Sequence, residues 1–520
     1  MQPLMFSRNN MIARLESRET WDVLVVGGGA TGLGIALDAA NRGYHTLLAE
    51  KNDFARATSS RSTKLVHGGV RYLAQGNIKL VREALRERGI MLNNAPHVCR
   101  RSAFIIPAYK WYHQFWYGIG LKIYDLMSGA LSLGKTRILK KETVIKMLPT
   151  VNEKKLRGGI LYYDGQFDDA RLAINMMQTA IEQNATVLNH LEVKKLLHEN
   201  GKVNGAELFD HINNRTYTVY ARTVINATGV FAGALMKEDD HLTHDIISAS
   251  QGIHIVLPRK FFPGEQALMI PKTDDGRVLF AIPWHDKVIV GTTDTPVDAI
   301  SEEPVAMETE IEFLISHFNR YHQTAIQRSD VLSVFAGLRP LVKRKDIKNT
   351  AALSRDHTLI VSASGMITIT GGKWTTWRRM AEDAVNRAVE TGGLEQKKCV
   401  TKALHIHGYA EEKTTDHLQY YGADAAAIKV LMKEPGMNEL LHPAHPFTKA
   451  EVIWAVRSEM AQTVEDVLAR RVRLLFLDAR AAKAAAPVVA ELMRKELHYD
   501  EAWVKNQLVQ FDEIVKRYVL

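Results

Sequence analysis

The chain has 520 residues, 46% of them hydrophobic and 24% charged, and carries a formal net charge of +9. That length exceeds what one hydrophobic core serves, so two to four domains are expected, with the composition of a folded globular protein. Two cysteines, Cys99 and Cys399, exclude a disulfide scaffold and a cysteine metal site, and no basic block with interleaved aromatics points to nucleic acid; the positive excess suits anionic ligands and an anionic membrane surface instead.

Residues 1–20 read as a polar lead-in with a short helix and no apolar run of the kind a secretory signal needs. Val23-Leu24-Val25-Val26 reads as a fully buried strand, and Gly27, Gly29 and Gly32 follow it at the spacing G-x-G-x-x-G. Gly27 permits the tight turn, Gly29 lets a pyrophosphate approach the backbone, and Gly32 lets the next helix pack close to the sheet. Leu33 to Asn41 continues as an Ala-rich helix whose N-terminal dipole attracts phosphate. A second strand, Thr46 to Ala49, delivers Glu50, an acid able to bind ribose hydroxyls. Strand, glycine turn, helix, strand and acid in this order predict dinucleotide binding.

Asn52 to Leu73 is a loop dense in hydroxyl and basic side chains, Ile78 to Asn94 an amphipathic helix, and Phe104 to Pro107 a strand. Residues 109–137 crowd Tyr109, Trp111, Tyr112, Phe115, Trp116, Tyr117 and Tyr124 among Lys110, Lys122, Lys135 and Arg137. Lys122 and Asp125 break the apolar run, so it does not span a bilayer; the segment fits either the membrane interface or a core helix pair with a polar outer face. Further on come a strand to Asp169, a helix over 170–183, a hairpin turning at Asn213-Asn214-Arg215, and a buried strand ending in Ala227-Thr228-Gly229. Gln251 to Asp294 is a series of short strands, Glu308 to Tyr321 a helix, and Phe335 onward returns to α/β character with a Gly371-Gly372-Lys373 turn. Beyond about residue 395 the pattern is helical, with a capping box at Thr448 and Glu451, a helix through 464–477, and Pro487 expected to break the Ala-rich segment around it.

Three strand-to-glycine turns far apart in sequence suit a permanently held flavin better than a nicotinamide. The motifs WDVLVVGGGATGLGIALDAANRGYHTLLAE, ATSSRSTKLVHGGVRYL, VINATG, SQGIHIVLPR, IPWHDKVIVGTTD, AGLRPL, SRDHTL and TGGKWTTWRRMAE then resemble the flavin-dependent glycerol-3-phosphate dehydrogenase family, from about Asp22 to Glu390 and more loosely into the tail. The resemblance implies a discontinuous α/β FAD-binding domain of glutathione-reductase type over 20–108, 155–235 and 335–395. A β-rich, mixed-sheet substrate-binding and membrane-facing region would cover 109–154 and 236–334, and an all-α cap 396–520. It implies FAD, oxidation of sn-glycerol 3-phosphate to dihydroxyacetone phosphate and electron transfer to membrane quinone. No His or Cys stands in a flavinylation motif, so the FAD is expected to be non-covalent. The aromatic, basic segment 109–137 leads to the expectation of peripheral association with the inner, cytoplasmic face of the cell membrane; a homodimer is the expected assembly. The alternative is an oxidase of glycerol phosphate or of a related amine or hydroxy substrate, passing electrons to oxygen.

The residues matching the family pattern are these. Phosphate would be held by Arg71, Arg339, Arg355 and Lys373, with Tyr72 adding a phenolic hydrogen bond. His67 and His254 are candidates for the base, with Arg339 as electrostatic support. FAD would be held by Gly27, Gly29, Thr31, Gly32, Glu50, Lys51, Ser59, Ser60, Thr63, Lys64, Leu65, His67, Gly68, Val193, Ala227, Thr228, Gly229, Gly372, Lys373, Thr375 and Thr376, with no metal involved. Arg61 interrupts the hydroxyl-rich run and is expected to point to solvent; Trp374 is expected to stack near the flavin ring or to fill a gap under the helix.

Overall fold

The computed structural model describes residues 5–18, 20–70, 73, 76–240, 247–274, 276–342, 357–411 and 416–520. Among these, two large sheets meet along one cleft and a helical domain packs behind them.

The first sheet is built on parallel pairing. Thr20–Val26 lies between Thr46–Ala49 and Arg215–Asn226, and Ile367–Gly371 extends the sheet beyond Arg215–Asn226. Val23, Leu24 and Val25 are wholly buried, as an apolar run covered on both faces must be. The Ala30–Asn41 and Trp377–Gly392 helices pack together over it; a Cβ at Gly34 would strike the Trp377 ring. Arg215–Asn226 is one strand: its first half pairs antiparallel with Lys202–Asp210 and its second half parallel with Thr20–Val26. The hairpin arm and the Ala227-Thr228-Gly229 strand are therefore continuous. A polar turn is visible in sequence, whereas a change of pairing partner midway along a strand leaves no local mark.

The second sheet holds the long Ile247–Pro258 strand, which pairs with Lys287–Gly291 and, over ten residue pairs, with Ser333–Val342. Cys99–Ala108 and Gly158–Phe167 belong here too, paired with each other along their length. Sheet membership thus divides the chain differently from the expected boundaries. Residues 99–108, 158–167 and 333–342 serve the second sheet, because long-range pairing decides which sheet a strand joins.

In the helical domain, Thr448 and Glu451 form the expected reciprocal cap of Lys449–Glu459. The stretch expected as one helix over 464–477 is instead a wide turn, Asp466–Arg471, then Arg473 in left-handed conformation, then Leu474–Leu477. Buried ion pairs from Arg470 and Arg471 to Asp53 and from Arg473 to Asp169 hold this shape. Pro487 does not break its helix, which runs Ala479–Leu497. Pro487 and Lys483, whose carbonyl loses its helical donor, both face solvent, so water can satisfy that carbonyl while Ala482, Ala486 and Val489 stay packed.

Candidate active site

Four parallel strands of the first sheet end at one cleft of about 580 Å3: Val26 leads to Gly27, Ala49 to Glu50, Asn226 to Ala227, and Ile369 to Gly371. Ligands in open α/β sheets sit at such carboxyl ends. A Cβ at Gly32 would overlap the Gly27 carbonyl oxygen, so this pair of glycines sets how closely helix and strand meet. Gly29 is the helix N-cap and brings no side-chain cap; the Ser59 hydroxyl accepts from Ala30 N–H at 2.9 Å. A helix N-terminus left open to the cleft is the cradle a pyrophosphate needs. The Glu50 carboxylate accepts from Gly28 N–H at 2.6 Å and Asn52 N–H at 2.8 Å, which fixes it at the strand end, and burial raises its pKa. These residues fit FAD.

The second sheet forms the opposite wall. Arg339 stands across from Ser250 in the strand register. Its guanidinium donates to Asp294 Oδ1 and Thr292 Oγ1, both at 3.1 Å, and to the Thr293 carbonyl at 2.9 Å. His254 pairs across the strands with Phe335, and their rings stack at 4.9 Å. Its Nε2 lies 3.0 Å from Thr63 Oγ1, a hydroxyl of the first half of the site. Burial, then the nearby charges of Lys64 and Arg339, hold the imidazole pKa well below its usual value, so His254 is neutral at physiological pH. Two glycines make room for these groups: a Cβ at Gly291 would run into the His254 ring, and one at Gly252 into the Arg339 guanidinium.

The cleft brings together most of the expected site: Gly27, Gly29, Thr31, Glu50, Lys51, Ser59, Thr63, Leu65, His67, Val193, Ala227, Thr228, Gly229, His254, Arg339, Gly372, Lys373 and Thr375 all line it. Arg71, Tyr72 and Arg355 lie outside the described residues. Five expected cofactor residues stand elsewhere. Lys64 is buried behind the wall, donating to the Ser60 carbonyl and Asp169 at 2.7 Å each among Trp284, Phe335 and Phe476, and burial pushes its pKa down to about 8 against the pull of Asp169. Ser60 turns inward with it. Gly68 N–H meets the Tyr124 hydroxyl at 2.7 Å, Thr376 bonds the Lys373 carbonyl, and Gly32 packs on Gly27. A motif marks a segment near a ligand; backbone direction decides which of its residues turn away.

Arg61 is buried, contrary to the expectation of solvent. It donates to the Ala336 carbonyl at 3.0 Å and to Glu303 at 2.7 Å, because the second sheet covers this loop. Trp374 lines the cleft, donates to the Ser59 carbonyl at 2.8 Å and meets Phe167 edge-on. Sequence reasoning missed Glu302, which bonds Lys51 at 2.9 Å across one end of the cleft, and the Thr292-Thr293-Asp294 run that holds Arg339. The hydroxyl-rich IVGTTD motif was the available signal for the second; Glu302 left none. Asp53, His190 and Asp466 lie close enough together to ligate a metal, but Arg470 and Arg471 already neutralise the two carboxylates.

The aromatic segment divides. In the His113–Ser128 helix, Leu121 and Tyr124 are buried, while Phe115, Trp116 and Leu126 are 63%, 67% and 82% exposed, as is Trp111 just before the helix at 78%. Lys110, Lys122, Lys135 and Arg137 are exposed with them. No described helix is long and apolar enough to cross a membrane.

Two family models match the chain: FAD dependent oxidoreductase over residues 22–378, and the C-terminal domain of alpha-glycerophosphate oxidase over 363–504. The mitochondrial glycerol-3-phosphate dehydrogenase of Arabidopsis thaliana is 38% identical, aligned over 96% of this chain and 86% of the relative. That of Rattus norvegicus is 39% identical over 96% and 74%. The crystal structure of the glycerol-3-phosphate dehydrogenase from Bacillus halodurans complexed with FAD superposes with a TM-score of 0.81 at 28% identity, covering 99% of this chain and 98% of that one. The glycine turns, the strand-end cleft and these likenesses agree: the chain is an FAD-dependent oxidoreductase and belongs to the flavin-dependent glycerol-3-phosphate dehydrogenase family.

Proposed function

We propose that this protein oxidises sn-glycerol 3-phosphate to dihydroxyacetone phosphate and passes the electrons to a membrane quinone from the inner, cytoplasmic face of the cell membrane. The observation that carries the reading is the continuity of the cleft: the glycine-lined half suited to FAD and the half bearing His254, Arg339 and Lys373 are one cavity. Bound FAD supplies a hydride acceptor. The chain supplies the rest. Lys373 and Arg339 attract the phosphate, and Arg71, Tyr72 and Arg355 are assigned to it by motif alone. Neutral His254, which lines the cleft with Nε2 3.0 Å from Thr63 Oγ1, takes the hydroxyl proton as hydride leaves the carbon. Arg339 steadies the negative charge that develops on that oxygen.

The reading is tested by adding glycerol 3-phosphate to the flavin-loaded protein without oxygen. The flavin absorbance should bleach, and glycerol should leave it unchanged; bleaching by both alike would remove the phosphate pocket from the account. The match of residues 363–504 to an oxidase domain favours a second reading, in which oxygen is the acceptor. Hydrogen peroxide formed stoichiometrically with product in air would select it.

Membrane docking is supported by the exposed face of the His113–Ser128 helix. Its Trp, Phe and Leu side chains suit the headgroup boundary, and the flanking Lys and Arg suit anionic lipid.

A further inference from the structure

Arg339 owes its orientation to an irregularity in the second sheet. His254 pairs with Gly291 and Gln251 with Thr295, so three steps along Ile247–Pro258 face four along the neighbouring segment. Thr292, Thr293 and Asp294 make that detour. An extra residue of this kind bends a strand and takes backbone groups out of the ladder. Here the Ile253 N–H donates to the Thr293 hydroxyl at 3.0 Å, and the Thr293 carbonyl turns to accept from Arg339 Nη2 at 2.9 Å. Arg339 Nη1 donates to the Gln251 carbonyl at 3.3 Å on the adjacent strand.

One side chain ties these groups together from behind. Glu310 is 4% exposed and stands in the first turn of the Glu308–Tyr321 helix. Its Oε1 accepts from the Thr293 and Thr295 hydroxyls at 2.8 and 2.7 Å. Its Oε2 accepts from Gln251 Nε2 at 2.8 Å and from the Met307 N–H at 3.1 Å. The Met307 bond is a helix cap. The other three donors come from the sheet, and two of them belong to Gln251 and Thr293, whose backbone carbonyls hold Arg339. Capping alone calls for none of these three. All the donors are uncharged, so a carboxylate out of water depends on keeping every one of them. The detour therefore cannot shift without stripping a bond from a buried acid.

We propose, on the reading that Arg339 serves the substrate, that Glu310 is a positioning residue for the reaction: by holding Gln251 and the Thr292-Thr293-Asp294 detour, it fixes where the Arg339 guanidinium stands in the cleft. Glu310 does not line the cleft itself and acts only through Arg339.

The test is a double-mutant cycle on the flavin-loaded full chain. Glu310→Met keeps the length of the side chain and removes both acceptor oxygens. The variant should retain its FAD and need about tenfold more glycerol 3-phosphate than the wild type for a half-maximal rate of anaerobic flavin bleaching. Introduced into Arg339→Ala, the same substitution should change that concentration by less than about twofold, because the group through which it acts is gone. Equal losses in the two backgrounds, or no loss in the presence of Arg339, would overturn the proposal. Should Glu310→Met not fold, Thr293→Val and Thr293→Ser decide. The first breaks the link from Glu310 to the detour and the second keeps it, so a loss in the first alone supports the proposal and equal behaviour overturns it. If glycerol 3-phosphate leaves the wild-type flavin unbleached, the proposed reaction fails by itself. Crystal structures of the wild type and the variant then decide the positioning: a displaced Arg339 supports it, and unchanged Arg339 contacts overturn it.

Discussion

Arg61 Nη2 lies 2.7 Å from both carboxylate oxygens of Glu303, and the same carboxylate accepts from the Tyr518 hydroxyl at 2.8 Å. One buried pair thus joins the loop that borders the cleft, a segment between two strands of the second sheet, and the Tyr518 region. Burial opposes the Arg61 charge, but Glu303 outweighs it and raises the guanidinium pKa.

Removing one partner leaves the other charge buried and unpaired. Arg61→Leu or Glu303→Leu should each cost about 3–5 kcal/mol, and the double variant should recover much of that loss. Denaturant unfolding of the three proteins measures the cycle; additive losses would show that the pair does not couple.

Flavin retention should depend on the glycine turn and on Glu302. Gly29→Val should fold without FAD, because the side chain would enter the pyrophosphate's space beside Ser59. Glu302→Gln removes the negative charge that Lys51 and Arg56 meet at one end of the cleft. These groups are substantially exposed, so the effect should be modest, at about 0–1 kcal/mol, and read as FAD release a few-fold faster than in the wild type. High salt should produce the same acceleration in the wild type and little in the variant.

Lys373→Ala and Arg339→Ala should weaken glycerol 3-phosphate binding while FAD stays in place. A charge-assisted contact to phosphate contributes about 1.5–3 kcal/mol, or roughly ten- to a hundredfold in affinity. His254→Asn should bind substrate and lose the rate of flavin bleaching. Stopped-flow measurement of bleaching against substrate concentration separates the two effects.

His407 should govern part of the pH dependence of stability. It is mostly buried between Asp424, 2.9 Å from Nε2, and Glu182, 2.6 Å from Nδ1. Burial alone would lower its pKa, but the two carboxylates raise it from 6.5 to about 9. A pKa raised on folding contributes stability that is complete below pH 6.5 and lost as pH rises through about 9, here at most about 3 kcal/mol. His407→Gln should flatten the fall in stability across that window; an unchanged profile would rule the contact out as its cause.

Replacing Trp111, Phe115 and Trp116 together by Ser should release the protein from anionic vesicles without unfolding it, since all three are exposed. Activity with a soluble dye should persist while activity with a membrane quinone falls. Full vesicle binding by the triple variant would move the docking surface elsewhere.

The sequence by itself determined the local units. The apolar run before Gly27, the spacing of Gly27, Gly29 and Gly32, the Ile78–Asn94 helix and the Thr448 cap depend on residues a few positions apart, and all form where the pattern puts them. The family motifs likewise pointed to segments that border the cleft. Only the tertiary structure decided which sheet received Cys99–Ala108 and Ser333–Val342, and that Arg215–Asn226 serves two partners. It also decided that Lys64 supports the wall from behind while Thr63 reaches His254. Neighbours in sequence can point to opposite sides of a wall, and the choice is made by groups distant in the chain: Asp169 for Lys64, Glu303 for Arg61, Asp294 for Arg339. A lone acid such as Glu303 carries no signal of its burial until the second sheet closes over the loop and leaves a guanidinium that must be paired.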